Sequence, residues 1–131
     1  MFPGSSRALA SGLLALAMLP VGWAPYPRPS APAPGERQAQ ALVDHSYQLT
    51  LVNDWPGCVR AAQQATALNP ASAVAYNNLA FCEARLGQWD AAIGHATVAT
   101  QLDPALQLAR NNLAWMRDEQ ARASPSRGKG E

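Results

Sequence analysis

The chain has 131 residues, with 10 basic and 9 acidic side chains and a formal net charge of +1. This balance excludes an electrostatic nucleic-acid binder, which would carry a strong basic excess, and two cysteines are too few for a fold built mainly from disulfides. Apolar residues make up 48% of the chain and charged residues 15%, so we predict one small domain whose core is ordinary apolar packing.

The first part of the chain has the pattern of an export signal. Arg7 is followed by an uncharged apolar run over residues 8–19. A short basic region before about a dozen apolar residues is typical of a secretory signal, since a spanning helix needs about 20. We therefore interpret residues 1–24 as a signal peptide or a membrane anchor. Pro25 disfavours cleavage, so two destinations stay open: release into the periplasm or another extracytoplasmic space, or anchoring in the inner membrane.

Residues 25–35 are rich in proline, which alternates with other residues up to Pro34. Proline fixes its own φ and pushes the preceding residue towards extended geometry, so this stretch is predicted to be a linker that cannot join a core. We favour a semi-rigid spacer over a ligand for an aromatic groove.

From residue 36 onward the sequence repeats itself. Asn-Asn-Leu-Ala at positions 77–80 recurs at 111–114, and the same offset of 34 residues relates Trp55 to Trp89. A fixed period of this size is typical of stacked helical repeats.

The best-matched unit predicts two helices joined by a tight turn. The first helix is expected over residues 72–86 and ends at Gly87, and the second is expected over residues 90–101. We expect Trp89 to be largely buried between these two helices. In the preceding unit, Asp54 is expected to cap the helix that follows it.

These units resemble the tetratricopeptide repeat family. The residues that carry the resemblance are Tyr76, Leu79, Ala80, Gly87, Trp89, Ala92, Ala99 and Pro104. The resemblance implies an all-α fold: a short right-handed α-solenoid of about two and a half helix-turn-helix repeats, preceded by the apolar targeting helix and the Pro-rich linker. The domain would cover residues 36–122, with repeats at about 39–72 and 73–106 and a capping helix at 107–122. Residues 123–131 are predicted to be a disordered tail.

In this family the first helices of successive repeats line a concave groove, so the resemblance implies a peptide-binding site there. The expected site residues form an aromatic row and a polar row: Tyr47, Phe81 and Trp115, and Asp44, Asn78 and Asn112. Aromatic side chains offer apolar contact area at low entropic cost, and asparagine amides can pair with the main chain of an extended peptide. The alternatives are ordinary packing for the aromatics, and capping or solvent exposure for the asparagines.

The charged clamp that some family members use for acidic chaperone tails is missing. Val43, Leu108 and Asn112 stand at its lysine and arginine positions, so binding of a free C-terminal carboxylate is not expected.

No catalytic residue, metal site or cofactor is predicted, because the sequence has no phosphate loop, zinc protease motif or nucleophile elbow. Asp44 and His45 are adjacent, but no nucleophile is placed to join them, and His45 is expected at the edge of the core. Cys58 and Cys82 could form a disulfide in an oxidising compartment or act as small apolar fillers, and we favour the fillers.

These observations predict an exported module for protein–protein interaction, acting as a peptide-binding adaptor or assembly factor. The expected partner is an unidentified protein or extended peptide, with no nucleic acid, and with membrane contact only through the N-terminal segment. The alternative is a structural subunit that docks through its convex helical faces. An enzyme is the least favoured interpretation.

Overall fold

The computed structural model describes residues 30–124, and helices make up most of that range. In chain order the helices are α1 (Pro34–Leu51), α2 (Trp55–Leu68), α3 (Ala73–Arg85), α4 (Trp89–Leu102) and α5 (Gln107–Ala123). No strand occurs among the described residues. The prediction of an all-α fold built from helix-turn-helix pairs is therefore confirmed over this part of the chain.

The predicted targeting segment 1–24, the first five residues of the linker and most of the tail lie outside the described residues. Pro34 and Gly35 form the first turn of α1, so the helical domain begins two residues before the predicted boundary. Within residues 30–124, no helix is both long enough and apolar enough to cross a membrane.

Side-chain or main-chain groups near the helix starts satisfy exposed backbone N–H groups. Asp54 Oδ1 accepts a hydrogen bond from the N–H of Gly57 at 2.9 Å, which confirms the predicted cap of α2. A Cβ atom on Gly57 would lie 2.2 Å from Asp54 Oδ2, so a side chain at position 57 would displace the Asp54 carboxylate from its present position. Ser72 Oγ caps α3 by accepting from the N–H of Ala75 at 3.2 Å.

The turns inside the two helix pairs use the same backbone geometry at equivalent positions. Gly87 has φ 76° and Asn53, 34 residues earlier, has φ 59°. Asparagine is one of the few L-residues that adopt this left-handed region routinely. The first pair can therefore make the same turn without a glycine.

The core lies between the helix pairs and consists largely of alanine. α1 packs against α2, α3 packs against α4, and α5 covers α3 and α4. One buried cluster joins the second pair to the last helix: Ala80, Ala84, Ala92, Ala96, Leu113 and Met116. Since alanine has a single methyl group, the helix axes can approach closely.

The tryptophans that begin the second helices contact the next unit. The ring centroid of Trp55 lies 6.1 Å from that of Phe81, and Trp89 lies 6.0 Å from Trp115 in an edge-to-face arrangement. These two contacts are equivalent across the 34-residue period. The prediction that Trp89 is largely buried between the two helices of its own pair holds in part: Trp89 is partly buried, and the cluster it packs against includes residues of α5 as well as of α3 and α4.

Cys58 on α2 and Cys82 on α3 form a disulfide, with their Cα atoms 6.1 Å apart. Both residues are fully buried. The bond connects the first helix pair to the second. The preference for two separate apolar fillers is therefore wrong.

One buried carboxylate is paired across the second helix pair. Glu83 on α3 is 3% exposed, and its Oε2 atom lies 2.7 Å from Nδ1 of His95 on α4. The other histidine, His45, is exposed, which corrects its expected place at the edge of the core.

We predict that reducing the disulfide lowers the free energy of unfolding by about 3 kcal/mol, because a cross-link restricts the unfolded chain more than the folded one. The measurement is urea unfolding of the full chain, followed by circular dichroism, with and without a reducing agent. The Cys58→Ala/Cys82→Ala double variant is the control, because a reductant should leave its curve unchanged. Equal midpoints for the oxidised and reduced wild-type chain would contradict the prediction.

We predict that Trp89→Ala lowers the free energy of unfolding by about 3 kcal/mol, since it removes a large half-buried ring from the junction with α5. Thermal unfolding of the purified variant measures the loss. The neighbouring exposed change Gln88→Ala should lie within about 0.5 kcal/mol of the parent. Equal melting temperatures for the two variants would contradict the prediction and show that the Trp89 contact with α5 contributes little to stability.

Candidate functional site

Three helices carry the predicted site residues. α3 lies between α1 and α5 and packs against both. Tyr47 on α1, Phe81 on α3 and Trp115 on α5 occupy equivalent positions on these helices. All three keep some solvent exposure, and Tyr47 is the most open at 55%. Trp55 contacts the Phe81 ring and Trp89 contacts the Trp115 ring. Tyr47 lies in the first pair, and no tryptophan precedes it among the described residues to make the equivalent contact.

A pocket of about 260 Å³ opens between these three helices. Four of the six predicted residues border it: Tyr47, Asn78, Phe81 and Asn112. Thr50 on α1 and Leu108 on α5 also line it. We call this site the concave pocket.

Two predicted residues lie away from the concave pocket. The Trp115 ring packs against Phe81, with the ring centroids 6.1 Å apart, and does not line the opening. Asp44 borders a different and larger depression of about 500 Å³, which Glu36 also lines. Its Oδ1 atom accepts a hydrogen bond from Gln40 Nε2 at 2.9 Å.

The rim of the concave pocket is apolar and exposed. Leu108 is 57% exposed, close to the value for Tyr47 on the opposite side. Leu108 was not among the predicted site residues, because in the sequence it stood out only as a departure from a charged clamp. Its position was a usable signal, because it lies one helical turn before Asn112 on the same face.

Asn78 links α3 to α1. Its Nδ2 group donates hydrogen bonds to Ser46 Oγ at 3.0 Å and to the carbonyl oxygen of Val43 at 3.4 Å. The Ser46 hydroxyl itself donates to the same carbonyl at 2.7 Å. These bonds hold the buried hydroxyl and the two helices together.

Asn112 links α5 to α3 in a similar way. Its Nδ2 group donates to Oδ1 of Asn77 at 2.9 Å. Asn77 is 3% exposed and also lines the concave pocket. The asparagines therefore bridge neighbouring helices as well as bordering the pocket, which neither capping nor simple solvent exposure would explain.

No Lys, Arg, Asp, Glu or His side chain lines the concave pocket. The guanidinium of Arg85, one turn beyond Phe81, lies over the Trp55 ring at 4.7 Å from its centroid. Within residues 30–124, no group of three or more His, Cys, Asp or Glu residues could hold a metal ion. The site is suited to contact and hydrogen bonding.

Residues 61–94 match the family model described as tetratricopeptide repeat. A solved structure, the second TPR of Spaghetti (RPAP3) bound to HSP90 peptide SRMEEVD, is similar with a TM-score of 0.63 and 17% identity, covering 66% of this chain and 81% of that chain. At this identity the likeness concerns the fold. No curated protein matches the chain. The family match and the shared fold agree with the helix pairs described above, and the chain contains a tetratricopeptide repeat at residues 61–94.

Proposed function

We propose that the chain is an exported interaction module that binds an extended segment of a partner protein in the concave pocket. One observation carries the proposal: Tyr47 and Leu108 present exposed apolar side chains on opposite sides of a pocket whose floor contains amide groups. Exposed apolar surface next to oriented polar groups is the usual composition of a binding site. The peptide bound by the second TPR of Spaghetti supports a peptide as the kind of partner.

The proposed role is that of an adaptor or assembly factor. The concave pocket offers contact area and amide hydrogen bonds, and these groups recognise a chain without transforming it. No cofactor enters this role. A membrane would be involved only through residues 1–24.

Export has two supports. The apolar run 8–19 after Arg7 has the pattern of a secretory signal. The disulfide between Cys58 and Cys82 is a second and independent support, because such bonds persist mainly in oxidising compartments. Residues 1–24 would act either as a cleaved signal or as an anchor in the inner membrane.

A structural subunit is the alternative, and one observation favours it. Leu68 and Leu102, equivalent residues at the ends of α2 and α4, are 43% and 41% exposed. A partner that covered the second helices would bury both side chains. In that case the concave pocket would stay empty.

We predict that Tyr47→Ala and Leu108→Ala each weaken peptide binding about 10-fold while leaving the fold intact, because each removes exposed contact area from the rim. The measurement uses the full chain and peptides enriched from a displayed random library, with isothermal titration calorimetry as the readout. Gln88→Ala, outside the pocket, is the matched control and should bind like the parent. Loss of binding on Leu68→Ala and Leu102→Ala instead would favour the structural subunit.

We predict that the full chain fractionates outside the cytoplasm with its disulfide formed, whereas a chain lacking residues 1–24 stays in the cytoplasm with free thiols. Cell fractionation followed by thiol alkylation under denaturing conditions measures both properties. A full chain that fractionates with cytosolic proteins would refute export.

A further inference from the structure

The amides of the concave pocket are partly used by the protein itself, and this limits what they can offer a ligand. Asn78 Nδ2 is committed to Ser46 and Val43, and Asn112 Nδ2 is committed to Asn77. Among the described residues no buried side-chain nitrogen or oxygen lacks a partner. The amide oxygens of Asn78 and Asn112 have no such partner, so each of them is at least partly exposed to solvent.

The orientation of the Asn78 amide follows from its partners. The carbonyl oxygen of Val43 can only accept hydrogen bonds. The Ser46 hydroxyl donates its only proton to that same carbonyl oxygen, so towards Asn78 it can act only as an acceptor. Both oxygen atoms can therefore only accept a hydrogen bond from Asn78, so the NH₂ group of Asn78 faces α1. Its Oδ1 atom is left for a ligand.

Asn77 and Asn112 offer a ligand one donor and one acceptor. One N–H···O bond joins the two amides, so the pair keeps one unused NH₂ group and one unused oxygen. This holds whichever amide donates. Together the three asparagines present two acceptor oxygens and one donor group, with no charge.

Two acceptor oxygens and one donor group can pair with a peptide group but disfavour a carboxylate. A peptide group has one N–H donor and one C=O acceptor, whereas an ionised carboxylate has acceptors only. A carboxylate in the pocket would face two amide oxygens, and no Lys, Arg or His side chain lines the pocket to balance its charge.

We propose that the linked amides of Asn77, Asn78 and Asn112 select an uncharged internal stretch of an extended partner chain. An apolar side chain of that stretch enters the pocket between Tyr47 and Leu108, and a neighbouring backbone N–H donates to Asn78 Oδ1. Acidic segments and free C-terminal carboxylates are rejected. This selectivity rests on the proposed function, because it assumes that a peptide occupies the concave pocket.

The test begins with a displayed library of short random peptides, each held between glycine-serine flanks so that no free terminus is near. Selection on the full chain should enrich sequences with one bulky apolar residue and no Asp or Glu beside it. The best sequence is then synthesised in four forms: capped at both ends, ending in a free carboxylate next to the apolar residue, carrying a glutamate at that place, and N-methylated one position at a time.

The capped peptide should bind with little dependence on salt, because no ion pair contributes. The free carboxylate and the glutamate should each weaken binding at least about 10-fold. N-methylation should weaken binding about 10-fold at the one position that donates to Asn78, and much less at positions that face solvent.

Two different failures are distinguishable. Peptides that bind through the concave pocket, as judged by the loss on Leu108→Ala, but that are acidic or require a free carboxylate would overturn the selectivity and leave the proposed function standing. Peptides that bind equally well to the parent and to Leu108→Ala, or a library that yields none, would overturn the proposed function and this inference together.

Discussion

A pair of short helices cannot bury its own apolar face, so this domain depends on the contacts between successive pairs. The junction of α2 and α3 has the strongest of them. The Cys58–Cys82 disulfide crosses it, and the edge-to-face contact of Trp55 with Phe81 lies at the same boundary. With only two pairs and one added helix in the described range, the chain has few other places from which stability can come.

The local features of the fold could be predicted from the sequence. The 34-residue period is visible in the sequence itself. The Asp54 cap and the turn at Gly87 each depend on residues close together in the chain. The predicted bounds of α3 and α4 were within one residue of the observed ones for this reason. The partners of Cys58 and Trp89 could not be predicted in the same way, because they depend on how one helix pair is placed on the next.

The candidate site was predictable only in part for the same reason. The period placed Tyr47, Phe81, Asn78 and Asn112 on equivalent faces, and the concave pocket joins these four. The bonds of the asparagine amides could not be predicted, because Asn78 needs the buried hydroxyl of Ser46 on another helix. In the proposed binding mode, recognition and helix packing use the same amides, so a ligand bound there would also stabilise the folded domain.

The burial of the disulfide has a kinetic consequence. Both cysteines are fully excluded from solvent, and thiol–disulfide exchange requires a thiolate to reach a sulfur atom directly. An external thiol can therefore react only after α2 and α3 separate. The rate at which the bond is reduced under native conditions then reports how often this junction opens, and it measures the local free energy that joins the two halves of the domain.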